Sequence, residues 1–165
     1  MHNYMKNGLL YLFGGGLIYL IYKYKKTYDI FKNAVVNLGY ISVVYFNKNL
    51  ISFGICIKIS NVTETTYITD SKLKIYLNGI YGAYCEIPYQ QQIKANEENE
   101  IYLIANVYYK ETFSEIWNLL INSVQKIKID ISGKLKVNNI FVPIPQIKVV
   151  ETSLQELISK KVTNE

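Results

Sequence analysis

The chain has 165 residues, half of them hydrophobic and only 19% charged, which excludes a wholly disordered chain because there is ample apolar surface to offset ordering entropy. Two cysteines exclude a disulfide-dense scaffold and any four-cysteine metal site, and a single histidine, His2, excludes most histidine catalysis and histidine-rich metal binding. The net charge of +5 sits at the N-terminus: residues 1–32 hold five lysines against Asp29, whereas residues 33–165 hold thirteen lysines against twelve acids. All eighteen basic residues are lysine. Arginine's bidentate fork, which reads guanine and clamps phosphate, is therefore missing, and no specific nucleic-acid partner is expected.

Residues 1–7 form a short N-terminal flank. Gly8–Tyr22 (GLLYLFGGGLIYLIY) then carries no charge over fifteen residues. As a helix it spans roughly 22 Å, short against a hydrocarbon core of about 30 Å, but Lys6 and Lys23 can snorkel and extend its reach. A cleaved signal peptide needs a small-residue cleavage site, and Lys23-Tyr24-Lys25-Lys26 occupies that place. A buried soluble helix fits poorly with apolar residues on all sides and three consecutive glycines. The expectation is one transmembrane anchor over residues 8–24. Gly8, Leu9, Leu10, Leu12, Phe13, Leu17, Ile18, Leu20 and Ile21 would face lipid, and Gly14, Gly15 and Gly16 would allow close approach of another helix. Lys23, Lys25 and Lys26 are the basic juxtamembrane residues, residues 25–33 are expected as a basic juxtamembrane linker, and the positive-inside rule favours the body on the cytoplasmic, or virion-interior, side.

From residue 34 the pattern changes to a period of two, and sixteen tyrosines suit a pleated, half-buried surface. Earlier strands are expected over Ala34–Phe46. Ile55, Ile57 and Ile59 share one face of the next. Leu73, Ile75 and Leu77 alternate with Lys72, Lys74 and Tyr76. Ile101, Leu103, Ala105 and Val107 form another inward row, and Ile127, Ile129 and Ile131 alternate with Lys126, Lys128 and Asp130. A late strand covers Ile140–Val149, where Pro143 and Pro145 indicate an edge or an irregular end. Asn78-Gly79 is a two-residue hairpin signal, Asn138-Asn139 a weaker one, and Gly133 reads as a turn or bulge. Thr112-Phe-Ser-Glu115 fits a capping box ahead of Ile116, Trp117, Leu120, Ile121 and Val124 at helical spacing. Thr152-Ser-Leu-Gln155 fits a second box, opening a short helix striped by Leu154, Leu157 and Ile158 in a tail over residues 151–165; this is a frayed tail or a docking element.

The order of these elements suggests a family. Asn61-Val62-Thr63 turns after an apolar strand, Leu77-Asn78-Gly79 leads to Ile80-Tyr81-Gly82, the Ile101–Val107 strand follows an Asn/Glu-rich turn, and Ile129-Asp130-Ile131-Ser132-Gly133 precedes a close at Val142-Pro143-Ile144-Pro145. Residues 34–150 resemble the late-embryogenesis-abundant type 2 domain, also called the water-stress and hypersensitive-response domain. The resemblance implies an immunoglobulin-like antiparallel β-sandwich without an active site, and many members carry an N-terminal membrane anchor. The family usually has Asn-Pro at the first turn, where this chain has Asn61-Val62. The expected fold is thus mainly β, an immunoglobulin-like sandwich with one short helix behind a single N-terminal transmembrane helix.

No phosphate loop or nucleophile elbow occurs, since Gly14-Gly15-Gly16 lacks the following Lys-Ser/Thr. Cys56 and Cys85 are expected as buried free thiols; a disulfide would need both strands to face the same way in an oxidising compartment. Glu97, Glu98 and Glu100 lack the regular spacing of a calcium loop. Asn61-Val62-Thr63 is a glycosylation sequon, relevant only in a eukaryotic secretory pathway. No cofactor or metal is expected. The expected function is a non-enzymatic, single-pass membrane-anchored structural or protein-interaction component, in its most specific version a minor protein of a membrane-containing virus particle. Its partners would be the lipid bilayer, other membrane or assembly proteins, and further copies of itself, met through the glycine face and exposed tyrosines such as Tyr81, Tyr84, Tyr108 or Tyr109. The alternative is a membrane-tethered binding module for an apolar ligand or lipid.

Overall fold

The computed structural model describes residues 2–47, 49–108 and 126–159, of which residues 2–15, 146, 148–150 and 154 are described by their backbone alone. Helix α1 covers His2–Phe31. Nine strands follow: β1 (Val35–Asn47), β2 (Leu50–Ser60), β3 (Thr66–Ser71), β4 (Leu73–Leu77), β5 (Ile80–Glu86), β6 (Gln91–Ile93), β7 (Asn99–Tyr108), β8 (Lys126–Val137) and β9 (Ile140–Ser153). A short helix α2, Leu154–Ser159, ends the described chain. The helix expected from Thr112, with Trp117 in its stripe, lies outside the described residues.

The strands hydrogen-bond in one antiparallel path, β1-β2-β7-β5-β4-β8-β3-β6, with β9 added on the other side of β8. Strands β3 and β4 share one edge of β8: Ser71 pairs with Leu135, and Lys74 with Ser132. Between them Lys72 N donates to Lys134 O at 2.8 Å, so the ladder continues across the break. Only two residue pairs join β5 to β7, Cys85 with Ala105 and Glu86 with Ile104.

The period-two rows are the core. Ile55, Ile57, Ile59, Leu73, Ile75, Leu77, Ile101, Leu103, Ala105, Val107, Ile127, Ile129 and Ile131 are all at most 3% exposed. Alternation lets each strand turn one face inward and leave polar residues outside, which fits a sheet with one buried side. The turns follow local chemistry. Asn78 (φ 51°) and Gly79 (φ 82°) close β4 onto β5, and Asn138 (φ 47°) with Asn139 (φ 67°) closes β8 onto β9. Both pairs tolerate the left-handed region that a two-residue hairpin requires. Gly133 (φ 141°) is a bulge, marked by a register shift between Ile131 and Gly133. A Cβ there would run into the Lys72 carbonyl oxygen, so glycine is required where β3 gives way to β4. Strand β9, with Pro143 and Pro145, pairs with β8 alone among the described strands and is an edge, where the missing N–H groups cost no ladder bonds.

Three boundaries differ from expectation, the first being that β9 runs on to Ser153, past the expected end at Val149. Residues 25–31, expected as a linker, are the last turns of α1, and Thr27, Ile30 and Phe31 are 2%, 3% and 8% exposed. Thr63 N donates to Ile30 O at 3.3 Å, so the turn after β2 satisfies one of the helix's terminal carbonyls. The tail is a docking element: Leu157 is fully buried, although Ile158 is 55% exposed. Its cap falls one residue later than Thr152. Ser153 Oγ accepts from Glu156 N and Ser153 N donates to Glu156 Oε2, both at 3.2 Å. Glutamate at the third position accepts this N–H and also takes a bond from Thr152 Oγ1 at 2.9 Å, which leaves Thr152 buried in the core.

Candidate functional site: the N-terminal helix and the outer faces of the sheet

Helix α1 changes character along its length. Leu17, Ile18, Tyr19, Leu20, Ile21 and Tyr22 are 59–69% exposed. Six successive residues cover every side of a helix, so the stretch is exposed all round, although Tyr19 and Tyr22 also line clefts against the body. Beyond Lys26, at the end of the helix, the side chains of Ile30 and Phe31 enter the core. The expected anchor residues Gly8, Leu9, Leu10, Leu12 and Phe13 are helical, as are Gly14 and Gly15. Gly16 faces open space: a Cβ on it would meet nothing within 4 Å. Lys23 is partly buried, Lys25 is exposed, and Lys26 pairs with Glu64 at 3.4 Å. No helix among the described residues is long and apolar enough to cross a membrane. The uncharged run is short and bounded by Lys6 and Lys23.

Clefts form where α1 meets the body. One of about 500 Å³ is lined by Tyr22, Lys25, Asp29 and Thr63 among others, and one of about 280 Å³ by Tyr19, Lys23, Thr27 and Asn138. A third, of about 320 Å³, lies between Tyr28 and Phe31 of α1 and Val142–Pro145 of β9.

On the outer face of β1, β2 and β7, Tyr40 and Tyr102 flank Cys56 in register, with their rings 6.4 Å apart. The two rings shield Cys56, which is fully buried although it points away from the core row. Cys85 lies in the core itself, where burial pushes its thiol up to about 12. Neither cysteine forms a disulfide, and their strands turn them to opposite sides of the sheet. Charges on this face are matched. Lys58 Nζ meets Glu98 Oε1 at 2.8 Å, and this hydrogen bond raises the lysine's pKa. Tyr102 Oη donates to Glu100 Oε2 at 2.8 Å, which pushes the phenol up to about 12 because ionisation would set two negative charges together. Two amides that the sequence reading passed over organise this end. Gln91 both donates to Tyr102 O and accepts from Tyr102 N, at 2.7 and 2.8 Å. Asn99 accepts from Lys94 N at 2.8 Å and donates to the carbonyls of Lys94 and Glu97 at 2.9 and 3.0 Å. Both residues look like ordinary polar positions until the chain is folded.

On the outer face of β4 and β5, Tyr81 packs edge-on to Tyr76 at 6.2 Å and to Tyr84 at 5.6 Å. Tyr81, Tyr84 and Tyr108 are 44%, 53% and 47% exposed, and Tyr109 lies outside the described residues. Among the described residues, no three His, Cys, Asp or Glu side chains lie together as a metal site.

The class of protein these observations define is a mainly β, antiparallel domain carrying an N-terminal helix. No family model and no curated protein matches the chain. A crystal structure of a protein from Archaeoglobus fulgidus is similar over 81% of this chain and 96% of that one, at 12% identity and a TM-score of 0.46.

Proposed function

We propose that this protein is a non-enzymatic, single-pass membrane-anchored component that works by contact, with α1 as its anchor. The carrying observation is the stretch Leu17–Tyr22, large apolar side chains exposed on all sides of the helix. Leaving one such side chain in water costs about 1.5–3 kcal/mol relative to burial, and a bilayer removes that cost for all of them at once. Lys6 and Lys23 reach the headgroups by snorkelling, and a thinned bilayer accommodates the short run. Lys23, Lys25 and Lys26 put the body on the cytoplasmic or equivalent side. We read the body as a two-layer, immunoglobulin-like sandwich of the water-stress-domain kind; the narrow β5–β7 junction and the single buried core between the strand rows support this.

Carbonate and high-salt washes of membranes test the anchor. The full chain should stay in the membrane fraction, and Leu17→Asp or Ile18→Asp should release it, because a mid-helix carboxylate costs about 2.5–3.5 kcal/mol on insertion. Recovery of the unaltered chain in the soluble fraction would overturn the reading. One observation favours a second reading, a membrane-tethered module for an apolar ligand or lipid: the cleft between Phe31 and Pro143–Pro145. A lipid that co-purifies stoichiometrically and is lost on Phe31→Ala would establish it.

A further inference from the structure

The near-neutral body hides a segregation of charge. Residues 70–86 and 126–142, which build β4, β5, β8 and the start of β9, hold six lysines and three acids, whereas the rest of residues 33–165 holds seven lysines and nine acids. The register puts the lysines on one face. Leu73, Ile75, Ile127, Ile129, Leu135 and Val137 point inward, so the intervening Lys72, Lys74, Lys126, Lys128, Lys134 and Lys136 point outward. None of these six has a carboxylate partner among the described residues. Three are instead laid on aromatic rings. Lys72 and Lys136 sit 4.3 and 5.8 Å from the centre of the Phe141 ring, and Lys74 sits 5.8 and 5.5 Å from those of Tyr81 and Tyr84. Four acids stand on or beside this face: Glu151 on β9 opposite Lys128, Asp130 at 8% exposed, and Asp70 and Glu86 at the margins on β3 and β5.

We propose that this face is a docking surface for the anionic headgroups of the bilayer that holds α1. The inference rests on the membrane reading above. Three features select lipid over other polyanions. Three of the ammonium groups lie over the rings of Phe141, Tyr81 and Tyr84, and no arginine is present to read nucleobases. Lysine with tyrosine and phenylalanine is the composition of a membrane interface. The end of the face is close to the anchor in the chain: Asn138, two residues after Lys136, lines a cleft with Thr27 and Ile30 of α1, and Val142, next to Phe141, lines another with Phe31. Each lysine near an anionic surface contributes about 1 kcal/mol, and tethering through α1 makes the encounter intramolecular.

The test uses the full chain in vesicles of phosphatidylcholine alone and of phosphatidylcholine with phosphatidylglycerol. A fluorophore on Ser132→Cys reports the lysine face and one on Ser42→Cys the opposite face; Cys56 and Cys85 are fully buried and stay unlabelled. Energy transfer from Ser132→Cys to a headgroup acceptor should rise with phosphatidylglycerol. The rise should vanish in high salt and in the variant K72E/K74E/K136E, while Ser42→Cys changes little. Equal transfer in both vesicles, or a rise that survives charge reversal, would overturn the inference with the anchor intact. Failure of the unlabelled chain to float with either vesicle overturns the membrane reading itself. Quenching by a single-stranded oligonucleotide or by polyglutamate, without a response to vesicles, overturns lipid in favour of that partner.

Discussion

The two outer faces of the sheet share one core and treat charge in opposite ways. On β1, β2 and β7, Lys58 meets Glu98 at 2.8 Å and Tyr102 bonds Glu100 at 2.8 Å, so each polar group is answered within the chain. On β4, β5 and β8, three of the six lysines lie over Phe141, Tyr81 and Tyr84, and none of the six forms an ion pair among the described residues. A face whose charges are neutralised internally gains nothing from a charged partner, whereas unmatched ammonium groups remain available to one. Net charge, being a sum over the chain, cannot register that difference.

The comparison breaks most severely at the shared core. Ile129→Asp should unfold the chain, because it sets an unpaired carboxylate at a core position that is 0% exposed, whereas Lys128→Asp, one residue away on the outer face, should leave the thermal midpoint nearly unchanged. A cooperative transition retained by Ile129→Asp would show that the row is not the core. A smaller effect should come from Gly133→Ala, which pushes a methyl group against the Lys72 carbonyl at a φ of 141°. A loss of about 1–3 kcal/mol is expected in denaturant titration, with the lysine face disturbed before the Tyr102 face. The smallest effect sharpens the contrast from the other side. The Tyr102 phenol is raised to about 12 from 10, so its bond to Glu100 contributes fully below pH 10 and is lost as pH rises through about 12. The difference in tyrosinate absorbance between the unaltered chain and Tyr102→Phe should titrate near 12, and Glu100→Gln should bring it back toward 10. A difference titrating at 10 in both backgrounds would remove the matched pair from the comparison.

The same contrast marks how far the sequence was legible. Alternating isoleucines, the Asn78-Gly79 and Asn138-Asn139 turns and the Gly133 bulge could be read directly, because each depends on a residue and its immediate neighbours. The candidate site was legible only in part. The apolar run of α1 announced itself, but the entry of Thr27, Ile30 and Phe31 into the core did not, since three residues beside a lysine cluster carry no signal for a pocket formed by β9 and the turn after β2. Cys56 similarly reads as an outward residue, yet it is fully buried, with the cross-strand tyrosines Tyr40 and Tyr102 flanking it.

By itself, then, the sequence determined the antiparallel β character of the body, the helical apolar N-terminus and the places where strands reverse, since these follow from short-range periodicity and from residues that tolerate positive φ. The tertiary structure alone decided that β3 and β4 share one edge of β8, that Ser153 rather than Thr152 caps α2, and that six lysines gather on one face. Those outcomes depend on pairing between residues far apart in the chain, and a strand's own pattern says which side faces inward but not which strand will lie beside it.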